Sequence, residues 1–475
     1  MTFAIVLMFL GIIFDAFQFA AVNTYVVTLK DVGMAAFVLT VIKRIIWDGQ
    51  PLSVPRSAPM FFLLAAPFFV LLSGIYPLMS HDWTMQTQFL KTTLHFIYVW
   101  VIASFSVMLC IPPSVWEKGL KSWLIASIPV NIFGAYQIVA RAFDLPFAWL
   151  RIFSYAKDIR GYENTGDTTQ LSLSFEGFYR ATSVFSEPSA LAAFNAIVLT
   201  AILIPYIRNT RPFIESVLLR RLVVLCSSVG LFLTFSLTGL SMIIATLALA
   251  LLLDRSKQLL KMTRILGILF VLLLITDVAV EYYAGISVAG LFSQRLGGII
   301  SSFGIGSTES TIGESFFTRA DSMAKAMEIW SNYPIFGHGI GCFYHYTRDA
   351  DLAFTDSTLF QALADTGIGG FLTVVCLNIL SVFKPIWLTH RNRRNQIPSN
   401  SLSLAEFAIY LGASLCSLMF SGNSYVGIFL WLFWGMIFSI TEYYSNNTKF
   451  CIAVKHPLRN LVVFGRKPKP LPTHN

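Results

Sequence analysis

The sequence predicts an all-α, polytopic integral membrane protein with about 12 transmembrane helices, and three observations predict it. The chain's 475 residues are 55% hydrophobic and 15% aromatic but only 12% charged. Apolar runs of about 20 residues, the length a helix needs to cross a hydrocarbon core about 30 Å thick, recur along nearly all of it. Its basic residues collect in short segments between those runs, the pattern of a chain oriented in a bilayer.

Taken in order, the first run, 2–21, has no basic flank and no small-residue cleavage site, so it reads as a retained span rather than a signal peptide. Runs 31–46, 59–79, 88–110 and 119–140 follow, the last opening into a long polar loop at about 141–186. Span 187–206 starts at Ser186 and Pro188, residue types that favour a helix start. Spans 218–235 and 238–253 are parted only by Ser236-Leu-Thr, and 264–284 opens into a second long loop at about 285–357. Spans 358–383, 404–420 and 424–442 complete a single membrane domain over 1–442, and 443–475 is a basic tail.

The basic clusters test this count, since an error of one span would scatter them onto both sides. Lys43, Arg44 and Arg56; Arg208, Arg211, Arg220 and Arg221; Arg255, Lys257, Lys261 and Arg264; Lys384, Arg391, Arg393 and Arg394; and the tail all fall on one side. That side is expected to be cytoplasmic, with both termini on it. The two long loops then face outward. There, acidic residues match or exceed basic ones.

This arrangement narrows the chemistry. The net charge of +9 is accounted for by membrane topology, so no nucleic-acid partner is implied. The six cysteines show no CxxC spacing, which gives neither a disulfide framework nor a zinc site. No Walker, GxSxG, HExxH or deaminase pattern occurs, nor a DxD-like pair, so no cofactor or metal is expected.

The candidate site residues lie in the outer loops. In the second, Thr318-x-x-Asp321 reads as a capping box, with Ala320, Met323, Met327 and Trp330 forming the apolar stripe of a helix over about 319–331. Asp321 and Lys325 stand four apart on its wet face and can pair. Arg319, in what this pattern makes the first turn, either snorkels or pairs within the loop, or presents its donor fork to an anion such as phosphate. Beyond Pro334, Phe336-Gly-His-Gly-Ile-Gly341 is a tight turn in which Gly337, His338 and Gly339 are possible substrate contacts. In the first loop, Arg180 is a second candidate anion ligand. Glu187 either serves the positive end of the next helix or accepts a proton at the mouth of a cavity. Asp356 caps the tenth span or acts as a base. Asp365 lies within that span, at a depth where ionisable groups are commonly functional.

Together these segments resemble the bacterial O-antigen polymerase and O-antigen ligase superfamily. The resemblance rests on Arg180 with Glu187-Pro188-Ser189 opening a span, Ser236-x-Thr-Gly239, Arg319…Trp330-x-x-x-Pro334-x-x-Gly337-x-Gly339-x-Gly341, Asp356, and Leu363-x-Asp365-x-Gly367. It implies a metal-independent membrane glycosyltransferase of the bacterial inner membrane. Such an enzyme takes glycan from an undecaprenyl pyrophosphate carrier at the periplasmic face, with Arg180 and Arg319 holding the pyrophosphate and Glu187 or Asp356 as base. Membrane lipid, a chain-length regulator and a flippase of the same pathway are the implied partners. Where the ligase branch carries a His-Asn pair this chain has Thr355-Asp356, which favours the O-antigen or exopolysaccharide polymerase branch. The alternatives are a ligase or a protein O-oligosaccharyltransferase. A lipid-linked oligosaccharide transporter is a further one, but it would line several spans with charge.

Overall fold

A computed structural model describes residues 1–15, 18–22, 25–49, 52–152, 168–170, 174–175, 178–253, 259–285, 287, 289–290, 293, 314–347, 355, 357–394, 403–421, 426–445 and 450–451. Each of the predicted spans falls on a helix: α1 (Thr2–Ile13), α2 (Leu29–Ile42), α3 (Ala58–Leu72), α4 (Trp83–Met108), α5 (Pro113–Ala142), α6 (Pro188–Arg208), α7 (Val217–Leu233), α8 (Leu237–Leu253), α9 (Leu259–Ala284), α11 (Thr358–Arg394), α12 (Ser403–Ser421) and α13 (Ile428–Ser445). Helix α10, within the second long loop, is Glu314–Asn332. Among the described residues, seven helical segments are long and apolar enough to cross a membrane, including Trp83–Met108, Pro113–Ala142 and Pro188–Arg208. Among the described residues, strands occur only as short two-stranded pairings. The protein is an all-α polytopic membrane protein.

Two boundaries depart from expectation. The first span is helical only to Ile13, and Gln18–Val22 then pairs antiparallel with Tyr25–Thr28. The β-branched run Tyr25-Val-Val-Thr favours strand over helix. Helix α10 is already present at Glu314, five residues before Arg319, and Glu-Ser-Phe-Phe contains no breaker. Thr318 is therefore inside the helix rather than its cap.

The core is aromatic. Trp123 of α5 packs against Phe9 of α1 with ring centroids 5.7 Å apart, Phe194 of α6 at 4.9 Å and Phe433 of α13 at 5.7 Å. Each such pair adds about 0.5–1.5 kcal/mol beyond the area it buries, so four helices far apart in sequence share one anchor.

Contacts sort the connections onto two ends of the bundle. At one end, Ser53–Val54 pairs with Phe450–Cys451, Ser53 Oγ donates to the Met108 carbonyl at 2.9 Å, and Arg208 Nε meets Glu406 Oε2 at 3.2 Å in a buried ion pair between α6 and α12. The first basic segment and the start of the tail are thus adjacent. At the other end, Ser357 Oγ donates to the Met419 carbonyl at 3.2 Å and Ser417 Oγ to Ser241 Oγ at 2.9 Å. A Cβ on Gly239 would lie 2.7 Å from the Ala192 carbonyl oxygen. The starts of α6, α8 and α11 and the end of α12 therefore meet there.

Candidate functional site

The segment 180–187 is built from backbone groups tied to buried side chains. The Arg180 carbonyl accepts from Arg141 Nη1 at 2.5 Å, and the Ala181 N–H donates to the Leu233 carbonyl at 2.9 Å. Gln170 Nε2 donates to the carbonyls of Ser183 at 2.6 Å and Phe185 at 2.8 Å, and Ser183 Oγ donates to the Val130 carbonyl at 2.5 Å. Ser183 sits at φ 53°, a backbone conformation that needs such fixing in a residue other than glycine. Arg180 is half-buried, while Ser186 and Glu187 are exposed. Glu187 occupies the N-cap position of α6 with extended backbone and makes no side-chain cap bond, which leaves an exposed carboxylate at the positive end of the helix.

The polar hub behind this segment was missed in the sequence. Arg141, 9% exposed, donates Nε to the Ala148 carbonyl at 2.9 Å and Nη2 to Gln170 Oε1 at 3.1 Å and Thr182 Oγ1 at 2.7 Å, besides its bond to Arg180. Its guanidinium lies 4.2 Å from the Trp149 ring centroid. The one sequence signal that could have found it is an arginine at the end of a span opposite the basic clusters.

The second loop contributes a packed turn. Gly337 (φ 75°) and Gly367 (φ 65°) face each other: a Cβ on Gly337 would lie 2.4 Å from the Asp365 carbonyl oxygen, and one on Gly367 would lie 2.3 Å from that of Ile335. His338 N–H donates to the Ala364 carbonyl at 2.8 Å and Gly339 N–H to that of Asp365 at 3.0 Å. Gly367, non-helical at ψ −165°, kinks α11 at this seat. Asp365 is buried and its Oδ1 accepts from Gln361 Nε2 at 2.8 Å. The four possible substrate contacts, Gly337, His338, Gly339 and Asp365, thus make packing contacts between the turn and α11.

His338 is 3% exposed, with the rings of Tyr76, Tyr333 and Tyr346 at 5.1, 5.2 and 5.2 Å. Among the described residues its Nδ1 has no hydrogen-bond partner. Burial, reinforced by His345, pushes this imidazole down to about 4. Burial and the hydrogen bond with Tyr76 push the Tyr333 phenol up to about 12. A largely apolar groove of about 550 Å³ opens beside this cluster, its walls including Tyr76, Met79, Ser80, Tyr333 and Phe336.

Two sequence candidates lie partly or wholly outside the described residues. Arg319 belongs to the described backbone of α10, in its second turn, but its side chain does not; Asp356 lies outside altogether. Because α10 starts earlier than expected, the helix N-terminus lends Arg319 no support as an anion ligand. Lys325 pairs with Glu328 at 2.7 Å rather than with Asp321. Among the described residues no three His, Cys, Asp or Glu side chains cluster to hold a metal ion. Cys342 is buried beside the Met85 carbonyl at 3.7 Å, and burial pushes its thiol well up.

Fold and site together define a multi-pass membrane protein whose polar segments converge at one end of the bundle. The family model for O-antigen ligase matches residues 222–375, from α7 through the turn and into α11. Over those residues the chain is similar to the O-antigen ligase family, whose members are membrane enzymes acting on lipid-linked glycans; the match does not distinguish the polymerase branch. No curated protein matches the chain.

Proposed function

We propose that the chain is a polysaccharide polymerase of the bacterial inner membrane, with both termini cytoplasmic. It transfers a glycan from undecaprenyl pyrophosphate to the terminal sugar of another lipid-linked repeat unit at the periplasmic face. The observation that supports this reading is that the Arg180–Glu187 segment before α6 and Thr355 and Ser357 before α11 lie at the same end of the bundle, where the starts of α6, α8 and α11 and the end of α12 pack together. Arg180 and Arg319 stabilise the charge that develops on the departing pyrophosphate, the kind of term that is often largest in transfer reactions. Glu187 or Asp356 takes the proton from the acceptor hydroxyl. The apolar groove beside Tyr76 suits the lipid part of such a carrier. No metal, cofactor or nucleotide sugar takes part; a flippase and a chain-length regulator are its pathway partners.

The matched family description favours a second reading, a ligase that moves finished glycan onto another acceptor. Deleting the gene separates the two. A polymerase leaves single repeat units on the lipid carrier, whereas a ligase leaves long chains there.

A further inference from the structure

We infer that Arg141 is a positioning residue for transfer, fixing the backbone point from which Arg180 presents its guanidinium. The inference rests on Arg180 being a pyrophosphate ligand. Its basis is one peptide unit. The Arg180 carbonyl and the Ala181 N–H belong to the same planar group, and both are bonded: the carbonyl to Arg141 Nη1 at 2.5 Å, the N–H to the Leu233 carbonyl at 2.9 Å. With both ends tied, the plane is held, and with it the position of the Arg180 Cα from which the side chain projects, by α5 on one side and the end of α7 on the other.

Arg141 does more than close this bond. Its fork also reaches Thr182 Oγ1 at 2.7 Å, two residues along the same segment, and Gln170 Oε1 at 3.1 Å. Gln170 in turn holds the carbonyls of Ser183 and Phe185. One buried guanidinium therefore governs the backbone from 180 to 185. The task demands arginine. The acceptors on Ala148, Arg180, Gln170 and Thr182 are spread around a planar fork, and the Trp149 ring covers one of its faces; a lysine offers its three donors from a single nitrogen and cannot span them. None of these acceptors carries a charge, so the buried cation also adds positive potential next to Arg180, a contribution that lysine would keep. Lysine thus separates position from field.

The experiment measures turnover of a single lipid-linked repeat unit by the purified full-length protein, for Arg141→Lys, Arg180→Ala and the double variant. Arg141→Lys should lower kcat at least ten-fold while KM moves less than two-fold and the thermal midpoint stays within a few degrees. In the Arg180→Ala background the same change should cost less than two-fold, because the residue it positions is gone. Wild-type turnover in Arg141→Lys, or an equal fractional loss in both backgrounds, overturns the inference. Wild-type turnover in Arg180→Ala overturns the reading of Arg180 itself and is visible separately. Should Arg141→Lys fail to fold, Thr182→Val removes one bond of the fork and should show a smaller loss, again only when Arg180 is present; its absence, or its persistence without Arg180, is equally fatal.

Discussion

His338 shows how a residue's identity and its environment can point in different directions. Between two glycines in an outer loop it looked available for a substrate, yet three tyrosine rings close around it. Its titration follows from that burial. The folded imidazole sits at about 4 against about 6.5 when unfolded, so between these values the unfolded chain binds the extra proton. The neutral ring's contribution is complete above about pH 6.5 and is lost as pH falls through the window to about 4, by about 3 kcal/mol at most. Thermal unfolding in detergent from pH 7 to 4 should therefore fall more steeply for the wild type than for His338→Gln; parallel curves would show that this imidazole does not drive the loss. Arg141 was hidden for a related reason. A single arginine at a span end carries no partner in its local sequence, since its acceptors come from residues 148, 170, 180 and 182.

At the level of elements, the glycine-rich turn was recognised as a place of close backbone approach, but its partner was not. Glycine spacing encodes positive φ and missing Cβ atoms; it does not say whether a ligand or another helix fills the space. Here the space is filled by α11, kinked at Gly367 to meet Gly337. Gly337→Ala and Gly367→Ala each combine a left-handed backbone with a collision against main chain. Each should cost several kcal/mol and sharply reduce the folded yield from membranes. Gly267→Ala, where nothing lies within 4 Å of the added Cβ, should leave the yield unchanged; equal yields from all three would show that the turn and the kink are not locked together. The start of α10 was misplaced because Thr318-x-x-Asp321 satisfies the local rule for a cap, while nothing before it interrupts the helix as far as Glu314.

For the whole molecule, topology was legible because the bilayer imposes length and charge rules that act on each segment separately. Helices follow the predicted runs, and contacts group Ser53, Arg208 and Glu406 at one end and Ser357, Ser417 and Gly239 at the other. That the segment before α6 and the start of α11 share one end of the bundle is not written locally; it depends on the packing of α6, α8, α11 and α12. This shared end is the basis of the proposed transfer from lipid pyrophosphate. The most direct measurement is the size of the product formed when the purified protein meets one defined lipid-linked repeat unit, read on a single gel with Arg180→Ala and Arg319→Ala alongside. The wild type should give a ladder rising in steps of one repeat, and each variant, retaining only residual turnover, should leave nearly all of the single unit unextended over the same time. A wild-type lane that never rises above one repeat, or variants that give the wild-type ladder, would contradict it.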